Sequence, residues 1–282
     1  MTELETYYIK MQSLDCPKFS ILLIEFADQY KATINEVLKL KNEFDEVDKF
    51  YLDILRKSII VLSDTSELFA KVKEDEYKRI STGILLRSII SDLITLKYVL
   101  FEGNSDKGQN QLCVKVNKSQ PAMTIKNLMK GLDNLDENDK KIELELINNL
   151  KSEYEINDGD ITNAQYYSIS EMLRSLKSKI RKDSSIKKDL FELIEAYDIL
   201  SKYEHFGAIT RNKILNFKNN DKVFLNELDL QLRVIHICTT LLLNFIDQSL
   251  KKMDNSKQLM IDLQLKFDAF TNIIGDISSS KS

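Results

Sequence analysis

Residues 83–100 read GILLRSIISDLITLKYVL. No proline interrupts them, and their apolar side chains cover most of a helical circumference, as in a helix surrounded by others. On a wheel of 100° per residue, Leu85, Leu86, Ile89, Leu93, Leu96 and Leu100 form a broad arc. Arg87, Ser91, Thr95 and Tyr98 line a narrow polar strip opposite it, with Asp92 five residues beyond the arginine. A central helix of this kind needs helical neighbours, and its arginine needs polar company.

The composition agrees with the helix. Only 7 Gly and 2 Pro occur in 282 residues, too few to punctuate a many-stranded protein, so an all-α helical bundle is expected. The 40 basic and 44 acidic side chains nearly cancel, so any nucleic-acid contact has to come from a local patch. Cys16, Cys113 and Cys238 are widely spaced and lack a C-x-x-C or Cys/His pairing, which argues against a disulfide framework and a metal site. The acidic start MTELETYYIKMQSLDCP is unlike a signal peptide, and the longest uncharged run, 234–246, is short of the roughly 20 residues a bilayer requires. A cytoplasmic protein without a membrane span or a cofactor is expected.

Periodicity places further helices at about 18–41, from the FDEVDKFYL segment to about 74, and at 75–101, 164–181, 184–206, 222–252 and 255–274. The first two suggest an N-terminal helical hairpin, 1–76, added to a bundle core, 77–275, and a polar tail, 276–282. Residues 102–163 read as a loop-rich insertion: EGNSDKGQNQLCVKVNKSQP at 102–121 loses the helical period, and a further break is expected at 131–138. Asp158, Gly159 and Asp160 resemble the middle of a calcium loop. Aligning the glycine, however, leaves Tyr154, Ile156 and Gln165 where carboxylates are required. A capping box from Thr162 to Gln165 accounts for the segment instead. RSLKSKIRKDSSIKK at 174–188 is the one basic cluster, read as a solvated helix junction or a polyanion contact.

The stretch YDILSKYEHFGAITRN, 197–212, holds one of two histidines. Leu190, Leu193, Ile194, Tyr197 and Leu200 share a stripe that ends in Ser201 and Glu204, with Asp198 beside it and His205 at its edge. A packing face that turns polar either ends the helix, as Gly207 suggests, or builds a polar pocket that needs a cation. Arg87 is the natural cation, with Glu204 or Asp92 as its acceptor. His236, the other histidine, lies among Leu225, Leu232 and Leu243 and reads as a hydrogen-bonded core residue.

The pairing of Arg87, Asp92 and Tyr98 on one helix with Tyr197, Ser201 and His205 on another resembles a group of bacterial all-helical proteins. More remotely, it resembles the HEPN superfamily of four-helix modules. Catalytic members of that superfamily carry an arginine four to six residues before a histidine; here Arg211 follows His205, and Arg233 precedes His236 by three. The resemblance implies an RNA- or nucleotide-binding protein with a defence role. Any catalysis would be metal-independent RNA cleavage, with His205, Arg87 and Glu204 reacting and Ser201, Arg211, Asp92 and Tyr98 binding. The alternative is a non-catalytic helical module whose polar residues are structural and whose partner is another protein, a second copy included.

Overall fold

The computed structural model describes residues 2–39, 44–103, 105–165, 167–180, 187–204, 221–251 and 256–278. Among them are eleven α-helices and no strand. These are α1 Glu3–Ser13, α2 Cys16–Leu38, α3 Glu46–Phe69, α4 Glu76–Glu102, α5 Asp106–Gly131, α6 Glu137–Glu153, α7 Asp158–Thr162, α8 Ile169–Ile180, α9 Lys187–Glu204, α10 Asp221–Leu250 and α11 Ser256–Ser278. The all-α expectation holds.

The chain forms two compact units: one from Met1–Phe44, Tyr51–Ile94 and Ile180–Ser282, the other from Asp45–Phe50 and Thr95–Lys179. In the first, α2 starts under an Asp15 cap with Pro17 in its first turn, where a missing N–H costs nothing. Its buried Phe19 and Phe26 meet Phe267 and Phe270 of α11, with ring centroids 5.4–6.0 Å apart. The Tyr30 hydroxyl donates to the Leu242 carbonyl of α10 at 2.7 Å. Gln231 of α10, fully buried, donates to the Arg79 carbonyl of α4 at 2.9 Å.

This grouping departs from the expected division at 76/77. The first helices bury their aromatic faces against the last helices, a pairing that no local pattern reveals. An unforeseen helix, α1, precedes them; Thr2 and Glu5 form its capping box, and Lys10 donates to the Asp276 carbonyl at 2.7 Å. In α10, Lys222–Asp247 is long and apolar enough to cross a membrane, with a mean hydropathy of 1.2 over an 18-residue window. Of that window 67% is buried, as in a core helix.

The second unit corrects two expectations. Residues 102–121 are not a loop, because α5 begins at Asp106 under a Ser105 cap and continues through Pro121. Its polar residues mostly face outward, while Cys113, Ser119, Ala122 and Ile125 are buried, so packing rather than propensity decides the helix. The turn into α5 depends on glycine: a Cβ on Gly108 would overlap the Gly103 carbonyl. The second correction concerns the capping box, which is not Thr162–Gln165. The Thr162 hydroxyl donates back to the Asp158 carbonyl at 2.8 Å within α7. Asn157 and Asp160 cap α7, and Ser168 and Glu171 exchange backbone bonds at the start of α8. The expected break at 131–138 is present, as a single 3₁₀ turn at Leu132–Asn134. The core of this unit joins Ala122 and Ile125 of α5 to Ile147, Ile156 and Ile161.

Candidate functional site

α9 uses two opposite faces. One is the stripe of Leu190, Leu193, Ile194, Tyr197 and Leu200, all buried. At Tyr197 it meets Arg87 of α4. An Nη atom of Arg87 donates to the tyrosine hydroxyl at 3.1 Å, and the guanidinium carbon lies 5.0 Å from the ring centroid. The cation is thus held by an aromatic face and its hydroxyl together.

Asp92, one of the acceptors expected for Arg87, serves a different pair of helices. Its carboxylate accepts from Lys57 at 2.8 Å and from Ser58 at 3.5 Å, both on α3. Burial pushes the Asp92 carboxyl above its ordinary value, while Lys57 and Ser58 pull it back down. Ser201 turns its hydroxyl onto the Asp198 carbonyl at 2.8 Å. Tyr98 belongs to the second unit, where its ring lies 6.4 Å from that of Tyr167. The Glu204 side chain, His205 and Arg211 lie outside the described residues. Of the basic cluster, Lys179 is taken up by Glu102 at 3.3 Å and by the Phe101 carbonyl near the C-terminus of α4, where a cation is favourable.

The opposite face of α9 carries Glu192, Glu195, Ala196 and Ile199, spaced i, i+3, i+4, i+7. It forms one wall of a cleft of about 490 Å³. Leu230, Arg233, Val234, His236 and Ile237 of α10 and Thr271, Ile274 and Gly275 of α11 complete the lining. The Arg233 charge is met by Asp229 at 3.1 Å, one turn back on its own helix. His236 stacks on Phe267, with centroids 6.1 Å apart and planes 28° apart. Its Nδ1 is buried and has no hydrogen-bond partner among the described residues, so the expectation of a hydrogen-bonded core histidine fails at that atom. Burial pushes the imidazole pKa below its usual value, with the nearby Glu192 carboxylate pulling the other way.

The sequence does not announce this cleft, because the strongest periodic signal in α9 is the apolar stripe on its other side. The available signal was the second stripe, E-x-x-E-A-x-x-I at 192–199, in which small and aliphatic residues share a face with two acids. The second unit holds a more polar pocket of about 370 Å³, lined by Lys118, Ser119, Asp160 and Tyr167 among others. Of its two lysines, Lys115 and Lys118, the second is engaged by Asp160 at 3.5 Å and by the Glu155 carbonyl at 2.6 Å. Its serine bridges α5 to the Gln165 carbonyl at 2.9 Å. Comparison with protein-family models, curated proteins and solved structures returns no match to this chain.

Proposed function

We propose that this chain is a non-catalytic helical interaction module in which the polar residues on packing faces join helices rather than act on a substrate. The observation that supports this reading is the engagement of Arg87. Its guanidinium is stacked on Tyr197 and donates to the tyrosine hydroxyl, tying α4 to α9. Asp92 ties α4 to α3 in the same way. A protein partner suits α6, where Ile142 and Leu146, one turn apart, are 65% and 44% exposed.

The competing proposal is HEPN-like RNA or nucleotide binding, with cleavage by a His205 base that removes the 2′-hydroxyl proton and an arginine that stabilises the phosphate. Incubating single-stranded RNA with the purified chain and with its His205→Ala variant separates the two. The expected result is intact RNA in both reactions; cleavage that disappears in the variant overturns the non-catalytic reading. In parallel, Arg87→Ala is expected to lower stability by about 1–3 kcal/mol, the size of a charged hydrogen bond plus a cation–π contact. An unchanged urea midpoint would remove Arg87 from the structural role.

A further inference from the structure

The cleft between α9, α10 and α11 is on the face of α9 away from Arg87. Its floor is apolar, from Leu230, Val234 and Ile237, and its walls bring Ile199 and Ile274 toward it. The volume of about 490 Å³ falls within the range of small-molecule sites. At Gly275 the α11 wall has no side chain, and an added Cβ would meet nothing within 4 Å. The cleft is therefore open where most residues would narrow it.

The charges in the lining are unequal. Glu192 and Glu195 line the cleft and make no ion pair or hydrogen bond with a described residue. The one lining arginine, Arg233, is already neutralised by Asp229. His236 adds an imidazole beside the floor. Two uncompensated carboxylates above an apolar floor complement a molecule with a positive head and an apolar body. An anion would face both acids, and a neutral apolar molecule would leave them unused.

From this geometry we infer that the cleft binds an organic cation, an amine carried on an aromatic or aliphatic body, with its nitrogen between Glu192 and Glu195 and its body on Leu230, Val234 and Ile237. A matched set of probes tests this on the full chain by titration calorimetry: 4-phenylbutylamine, 4-phenylbutanol and 4-phenylbutanoate, which differ in head charge and little in body. The amine is expected to bind saturably and about tenfold or more tighter than the alcohol, and the carboxylate weakest.

Two variants locate the binding. Glu192→Gln combined with Glu195→Gln should reduce the amine to the affinity of the alcohol. Gly275→Leu, which places a side chain in open space on a helix, should abolish binding of both. Far-UV circular dichroism confirms that each variant retains its helices. Equal affinity for the three probes, preference for the carboxylate, absence of amine binding, or amine binding that survives both variants would each overturn the assignment.

Discussion

Gly108 and Gly275 both lie within helices, yet a methyl group added at each is expected to act in opposite directions. At Gly275 the added carbon has open space, so Gly275→Ala should only remove backbone freedom from the unfolded chain and stabilise the protein by about 1 kcal/mol. At Gly108 the same carbon would overlap the Gly103 carbonyl across the α4–α5 turn, with the Ser105 hydroxyl 3.3 Å away. Gly108→Ala should therefore destabilise by about 1–3 kcal/mol, the usual cost of overpacking. Urea unfolding of the two variants beside the parent protein checks both signs; two shifts in the same direction would contradict the local geometry. Arg87 makes a related point. Its truncation to alanine leaves the Tyr197 hydroxyl without that donor and the ring without its cation, so the loss is carried by contacts that reach from α4 to α9.

At the scale of the element, α10 carries a titratable group on a helix otherwise built for burial. The folded chain holds His236 below its ordinary pKa of 6.5 because burial outweighs the attraction of Glu192; Glu195 and Arg233 share the same cleft. As pH falls through 6.5, the unfolded chain takes up a proton that the folded imidazole resists. The histidine's contribution to stability is thus present above pH 6.5 and is lost on the way down to its lower folded value. His236→Gln cannot titrate, so the stability difference between the parent and this variant should shrink as pH is lowered from about 7.5 to 5.5. Carboxylates elsewhere titrate in both proteins and cancel in the difference. A difference that stays constant or grows in urea titrations across that range would show that burial does not hold the imidazole neutral. The C-terminus of α6 shows a different local device: Glu155 takes φ 50°, and the N–H of buried Ile156 closes onto the Lys151 carbonyl at 2.9 Å. A left-handed residue followed by an apolar anchor ends the helix in this way.

For the whole molecule, the three cysteines report on folding. All are free and buried; burial pushes the Cys16 thiol up to about 11 and that of Cys113 up to about 12, and raises that of Cys238 as well. None supplies an accessible thiolate at pH 8, so a disulfide reagent such as DTNB should find fewer than about one reactive thiol per native chain. In guanidinium chloride it should find all 3. Cys16 and Cys238 share the first unit, while Cys113 lies in the second. Native-state labelling should therefore modify Cys16 and Cys238 in step, at a rate set by the opening of that unit. Rapid modification of any one cysteine in native buffer would contradict its burial.

Local signals in the sequence were sufficient for the helical class, for α2, α4, α9 and α10 to within a few residues, and for the packing stripe of α9. Each of these follows from the 3.6-residue period and from caps and breakers that act within a few positions. The same signals failed at 102–121, where a polar, glycine-bearing segment becomes a helix because Cys113, Ala122 and Ile125 find a core. They also failed for the grouping of the helices, since Phe19 and Phe26 pack on Phe267 and Phe270 from the far end of the chain. The choice of Tyr197 for Arg87, of Lys57 for Asp92 and of an open face for Glu192 and Glu195 was likewise settled only in three dimensions. A helical pattern states which side of a helix is apolar; which neighbour covers that side, and which side stays uncovered, depends on the sum of contacts among helices distant in sequence.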